Sequence, residues 1–136
     1  MSDRLSPQAR SRNMSLIRSA DTGPERVVRR MLFALGYRFR LHRRDLPGTP
    51  DIVFVSRRKA IFVHGCFWHG HAGCARATQP RSNVRFWAEK IAKNKLRDKD
   101  ALAELRRNGW RTCVVWQCEL RRPAAVEAKL RKFLSD

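Results

Sequence analysis

The chain has 136 residues, with 30 Lys+Arg against 12 Asp+Glu and a formal net charge of +18. That length suits one domain with its own core, and 43% hydrophobic residues exclude a disordered basic tail. No apolar run approaches the roughly 18 residues of a membrane span, and the Met1-Ser-Asp-Arg4 start has no signal-peptide core, so a cytoplasmic protein with a polyanionic partner is expected, nucleic acid ahead of a membrane surface.

Residues 1–20 are polar and basic, with scattered Leu5, Met14, Leu16 and Ile17, and read as an arm packed only partly on the domain. From Pro24, helix spacing of Val27, Val28, Met31, Leu32 and Leu35 predicts a helix, with Asp21 or Thr22 able to cap it and Gly36 able to stop it. Period-two alternation over 37–42 predicts a half-buried strand. After the turn at 46–50, two strands over 51–55 and 60–64 flank the basic hairpin 56–59. A loop runs from Gly65 to about Asn83, and a long helix follows from about Phe86 to Asn108. The segment 110–117 reads as a central buried strand, and Pro123 opens a last helix that turns Val126, Leu130, Phe133 and Leu134 inward. A crossover helix between strands implies a partly parallel sheet covered on both faces, hence an α/β class.

Asp51 directly follows a proline-bearing turn and opens a very apolar strand, which places a carboxylate at the mouth of the sheet. A turn aspartate that caps local amides is the plain alternative. The hairpin, however, brings the Val63-His64-Gly65 end of the next strand close to it. One carboxylate, one backbone carbonyl and waters suit Mg²⁺.

Between His64 and Cys74 the chain holds three histidines and two cysteines in eleven residues. Cys66, His71 and Cys74 can fold around one tetrahedral ion if a fourth ligand arrives, and Cys118 at the end of the last strand is the natural candidate. Cys113, in mid-strand, reads as core. A Cys3His set is structural zinc chemistry, although the spacing is not that of a standard finger.

On the long helix, Trp87, Ile91, Asn94, Asp98, Ala101, Leu102 and Leu105 share one stripe, so Asn94 and Asp98 interrupt a buried face. A salt bridge to one of the arginines would satisfy Asp98. The functional alternative is that it orients a histidine from the 64–71 loop as a proton acceptor. Phe67 and Trp68 lie in a polar loop with no core close in sequence, where exposed aromatics on a DNA-binding protein suggest wedges between base pairs.

Together these residues resemble the very short patch repair (Vsr) mismatch endonuclease family. The carriers are Arg12-Asn-Met14, Asp21-Thr22 with Glu25, Leu46-Pro-Gly-Thr-Pro-Asp51, Phe62-Val-His-Gly-Cys-Phe-Trp-His69, Phe86-Trp-Ala-Glu-Lys-Ile91 with Asn94 and Asp98, Gly109-Trp-Arg111, and Val115-Trp-Gln-Cys118. The match runs from about Arg10 to Leu120. The resemblance implies a restriction-endonuclease-like (PD-(D/E)XK) mixed sheet flanked by helices, with a structural zinc. It implies Mg²⁺-dependent nicking of duplex DNA 5′ to the T of a T·G mismatch, the product of 5-methylcytosine deamination, in a bacterial cell. Residues 1–20 would be a DNA-contacting arm and 21–136 a single nuclease domain, acting as a monomer and open to association with other repair proteins.

Carried over, Asp51 would hold Mg²⁺ together with the Val63 backbone carbonyl. His69 would act on the attacking water with Asp98 orienting it, while His64 and Glu25 would support the phosphate and metal waters. Cys66, His71, Cys74 and Cys118 would bind Zn²⁺, and Phe67, Trp68, Trp87 and Met14 would wedge at the mismatch. Where the family often has Thr, Val63 stands here, and a backbone contact tolerates the change. The stretch from His71 to Cys74 is one residue longer than in close family members. The usual second acid and lysine of this nuclease class are absent, with Phe62-Val63-His64 in their place. A zinc-stabilised DNA-binding protein without catalysis and a restriction-type nuclease on paired DNA are the rival readings.

Overall fold

The structure, a computed structural model, describes residues 23–72, 74 and 82–135. The arm over 1–20, Met14 within it, and the Asp21 or Thr22 helix cap lie outside the described residues.

Helix spacing of apolar residues produces α1 (Gly23–Ala34), which buries Val28 and Leu32. Gly36, at φ +92°, turns the chain out of it, a backbone angle glycine adopts without a Cβ penalty. The strands are β1 (Arg40–Leu41), β2 (Ile52–Phe54), β3 (Lys59–His64) and β4 (Arg111–Trp116), joined in the order β1-β2-β3-β4. The first two pairings are antiparallel. β3 and β4 pair in parallel, with Ile61 beside Cys113 and His64 beside Trp116. The crossover between them carries α2 (Val84–Arg107), and α3 (Pro123–Ser135) follows a short 3-10 turn at Gln117–Arg121.

The main core gathers Val28 and Leu32 of α1, Ile52 and Phe54, Ile61, Val115, and Val126, Leu130 and Leu134 of α3. Each fully buried aliphatic side chain contributes about 1.5–3 kcal/mol. On the other face α2 packs close enough that Ala101 and Phe62 both crowd Gly48, where an added Cβ would stand 2.7 Å from the Ala101 Cβ. The result is the expected α/β class, a mixed sheet flanked by helices.

Two expectations need correction. The strand predicted over 37–42 shrinks to two residues, both exposed, because His42 turns into the left-handed region at φ +48°. The predicted central strand, β4, lies at an edge of the sheet and alternates in burial, whereas β3 is buried along nearly its whole length. Among the described residues no strand pairs with the outer side of β4, and α3 covers one of its faces.

The basic hairpin has a structural use. Arg57 and Lys59 donate to the last carbonyls of α3, at Leu134 (3.1 Å) and Phe133 (2.7 Å), and Arg58 donates to the Asn108 carbonyl closing α2 (2.7 Å). Cations at helix C-termini satisfy orphan carbonyls and oppose the helix dipole. No helix among the described residues is long and apolar enough to cross a membrane.

Candidate active site and metal cluster

Strand register brings the chemistry to one end of the sheet. Asp51 immediately precedes β2 and His64 closes the neighbouring antiparallel strand β3, so their side chains meet at a cavity of about 230 Å³. His69, Asn94, Arg97 and Asp98 also line it.

The Asp51 Oδ2 accepts the Val63 backbone N–H at 2.7 Å. Within a strand the N–H and C=O of one residue point to the same side, so the Val63 carbonyl is turned toward Asp51 as well. Burial pushes the Asp51 carboxyl up to about 7; the Val63 N–H opposes that rise, Glu25 adds to it, and Arg29 works against it. Glu25, His42 and Asp51 each offer a ligand atom, all within 4.8 Å of one another. A half-buried carboxylate disfavoured by desolvation and a neighbouring acid is a site that a divalent cation would stabilise, so the residues fit Mg²⁺.

Glu25 is fixed from two sides. Arg29, one turn along α1, donates to its carboxylate through Nε (3.0 Å) and a second guanidinium nitrogen, and the His42 Nε2 lies 2.8 Å from the same oxygen. The His42 backbone N–H donates to the Asp51 carbonyl at 3.1 Å. A non-glycine residue in the left-handed region is uncommon and needs support from its surroundings, and here it has both bonds. Sequence reasoning missed His42 and Arg29. Arg29 carried a readable signal, its i+4 spacing from Glu25; His42 carried none beyond its closeness to the proline-bearing turn.

Asp98 meets His69, not an arginine. The His69 Nδ1 is 2.6 Å from the Asp98 Oδ2, and both side chains are about three-quarters covered, less than the full burial the helix stripe suggested. With Nδ1 engaged, His69 has Nε2 available for chemistry. His64 stacks on His69 with ring centroids 3.9 Å apart and planes 4° from parallel. Burial holds His64 down to about 4, helped by His69 and opposed by Asp98, so it is neutral at physiological pH. Its buried Nδ1 has no hydrogen-bond partner among the described residues.

Cys66, His71, Cys74 and Cys118 form the second group, with all four ligand atoms within 4.8 Å of each other and none of the cysteines in a disulfide. Around one tetrahedral zinc, sulfur and nitrogen ligands stand about 3.5 Å apart. The Cys118 Sγ is 3.5 Å from the His71 Nδ1. Burial, with the Cys118 and Cys74 thiols close by, pushes the Cys66 thiol up to about 11, an environment that zinc coordination of a thiolate would relieve. The donor set fits a structural zinc, and Cys113 is core as expected.

The aromatics are gathered but not free. Phe67, Trp68 and Trp87 pack edge to face, with centroids 5.0 to 5.5 Å apart, and each is half-buried against the others. Asn94 donates to the Trp68 carbonyl at 2.9 Å and so joins the cluster to α2. Phe86 extends the cluster into solvent, 5.1 Å from Trp87 and 56% exposed; the sequence reading grouped it with Trp87 without assigning it a role.

The DNA mismatch endonuclease Vsr family model matches residues 2–76. The chain is 56% identical over 134 residues to the type II nicking enzyme V.XorIIP of Xanthomonas oryzae pv. oryzae, covering 98% of both chains. It is 41% identical over 121 residues to the DNA mismatch endonuclease Vsr of Escherichia coli K12, covering 89% of this chain and 77% of that one. In fold it is similar to the homing endonuclease I-Bth0305I catalytic domain, at a TM-score of 0.56 and 23% identity, over 83% of this chain and 94% of that one. Motifs, restriction-endonuclease-like fold and sequence similarity agree, and the chain belongs to the DNA mismatch endonuclease Vsr family.

Proposed function

We propose that this DNA endonuclease nicks duplex DNA 5′ to the T of a T·G mismatch arising from 5-methylcytosine deamination, in Mg²⁺-dependent very short patch repair. The observation that carries the reading is the His69–Asp98 pair facing the same cavity as half-buried Asp51.

Asp51 and the Val63 carbonyl would hold the cation, with Glu25 placed to receive its waters. When bound, Mg²⁺ supplies charge neutralisation on the phosphate and stabilises the leaving oxygen. Asp98 fixes the His69 ring, so that Nε2 accepts the proton of the attacking water. Neutral His64 keeps a hydrogen-bonding nitrogen for a phosphate oxygen, and Arg97 at the cavity rim adds positive charge. Cys66, His71, Cys74 and Cys118 would hold zinc and tie the loop carrying His69 to the end of β4.

Phe67, Trp68 and Trp87 supply the mismatch wedge, with Met14 approaching from the arm. A wobble pair stacks less well than a Watson–Crick pair, so unstacking beside it costs less, and deformability becomes specificity. The protein acts as a cytoplasmic monomer, with residues 1–20 contacting DNA and 21–136 forming the nuclease domain. Other repair proteins are its candidate partners.

A two-substrate assay tests the reading: nicking of a T·G duplex and its C·G parent, each with and without Mg²⁺. Nicking of the T·G duplex alone, and only with the cation, is expected. Equal cleavage of both duplexes would make it a restriction-type nuclease instead.

A further inference from the structure

Trp116 has no role in the site described above, yet it stands between the two side-chain groups. Parallel pairing sets it directly beside His64 at the ends of β4 and β3, so both side chains leave the same face of the sheet. On one side the His71 ring lies flat on the Trp116 ring, with centroids 4.0 Å apart and planes 5° from parallel. On the other, His64 meets Trp116 at 75° and 5.1 Å, and His64 in turn is stacked on His69. His69 itself lies 6.4 Å from Trp116 at the same 75°. A continuous series of rings therefore runs from the Cys3His cluster to the His69–Asp98 pair.

The base of this arrangement is rigid. The Trp116 backbone N–H donates to the Glu119 carboxylate at 2.8 Å, and Lys129 on α3 holds that carboxylate at 3.1 to 3.2 Å. Two residues beyond Trp116, Cys118 joins the cluster, so the same backbone segment carries a ligand and the ring.

We infer that Trp116 is a positioning residue, whose ring carries the orientation fixed at the Cys3His cluster to His64 and so to His69. The inference rests on the reading of His69 as the group that accepts the proton of water. Flat stacking holds His71 and Trp116 in parallel planes, and the crossing at 75° leaves His64 one orientation; His69 follows because it stacks on His64 and is bonded to Asp98 at its far nitrogen. Small misplacement of a reacting group costs up to about a hundredfold in rate. Loss of the ring therefore slows catalysis without removing the cluster that holds the loop.

Trp116→Leu and Trp116→Phe, purified with zinc, test it by zinc content, thermal melting, DNA affinity, and the separated kcat and KM for a T·G duplex. Both variants keep about one zinc per chain and wild-type KM. In Trp116→Leu kcat falls about ten- to hundredfold, and Trp116→Phe, which restores a flat ring, recovers most of that loss. Loss of zinc in step with activity, a change in KM alone, or equal kcat losses in both variants would overturn the inference. Should Trp116→Leu not fold, the Phe variant decides: a folded, zinc-bearing protein with kcat as low as that of His69→Gln overturns it. His69→Gln, assayed in parallel, tests the underlying reading on its own, since wild-type nicking there removes the base whatever Trp116 does.

Discussion

His69 and Asp98, 29 residues apart, meet at 2.6 Å between Nδ1 and Oδ2, from a loop and from the middle of a helix. Because the carboxylate holds the ring at the nitrogen turned away from chemistry, Asp98→Ala should reduce nicking about 10²–10⁴-fold, the range that a positioned acid–base group contributes. Its melting temperature should hold, as Asp98 is partly exposed and lies off the main core. The double variant with His69→Ala should be no slower than His69→Ala alone. Additive losses in single-turnover kinetics would mean the two side chains do not act as a unit.

Asp51→Ala removes the carboxylate that burial holds near neutral, together with its bond to the Val63 N–H. Nicking in Mg²⁺ should vanish while duplex binding in Ca²⁺ survives. Stability should change little, because the loss of one hydrogen bond is offset by removing a desolvated acid. Circular dichroism melts and filter binding beside the cleavage assay check all three outcomes.

Zinc removal separates the four cysteines. Cys66→Ser should abolish metal content and lower the melting temperature, because structural zinc binding is part of the folding free energy. Cys113→Ala should keep about one equivalent of zinc and cost only what a small core truncation costs. Elemental analysis that found equal zinc in both variants would reassign the ligands.

Gly70 lies between His69 and His71 at φ +58°, where an added Cβ would stand 2.6 Å from the Ile91 Cγ2 and 2.8 Å from the Lys95 Cδ. Lys95 can swing aside, but Ile91 is buried in α2. Gly70→Ala should therefore destabilise by about 1–3 kcal/mol through overpacking alone, with a further contribution from the left-handed backbone. Activity and zinc content should fall together, since the same loop carries both groups. A melt indistinguishable from wild type would show that the loop adjusts freely.

Trp68→Ala and Phe86→Ala probe the aromatic cluster at different depths. Trp68 is half-buried and packs on two neighbours, so its removal should cost stability as well as about 1–3 kcal/mol of stacking on DNA. Phe86 is mostly exposed, and its loss should leave melting within about 0.5 kcal/mol. Discrimination between T·G and C·G duplexes should drop in Trp68→Ala. Unchanged discrimination beside a large stability loss would make the cluster a second core.

The sequence by itself determined the helices, since the apolar spacing of α1, α2 and α3 is local and needs no partner to be read. It also placed Asp51 and His64 near one end of a hairpin, because an antiparallel register follows from a short turn. The four metal-type ligands were legible as well; three lie within nine residues, and the fourth, expected at the end of a strand, stands in the 3-10 turn just after it. Only the tertiary structure decided what depends on long-range packing. It put β4 at the sheet edge, gave Asp98 a histidine in place of an arginine, and gathered Phe67, Trp68 and Trp87 into one half-buried group. It made helix caps of Arg57, Arg58 and Lys59 in the basic hairpin. The contacts of His42 and Trp116 became visible in the same way. Trp116 stands in the Val115-Trp-Gln-Cys118 motif, but each of the two acts on groups brought to it by the sheet, and neither has a spacing pattern that foretells its partners.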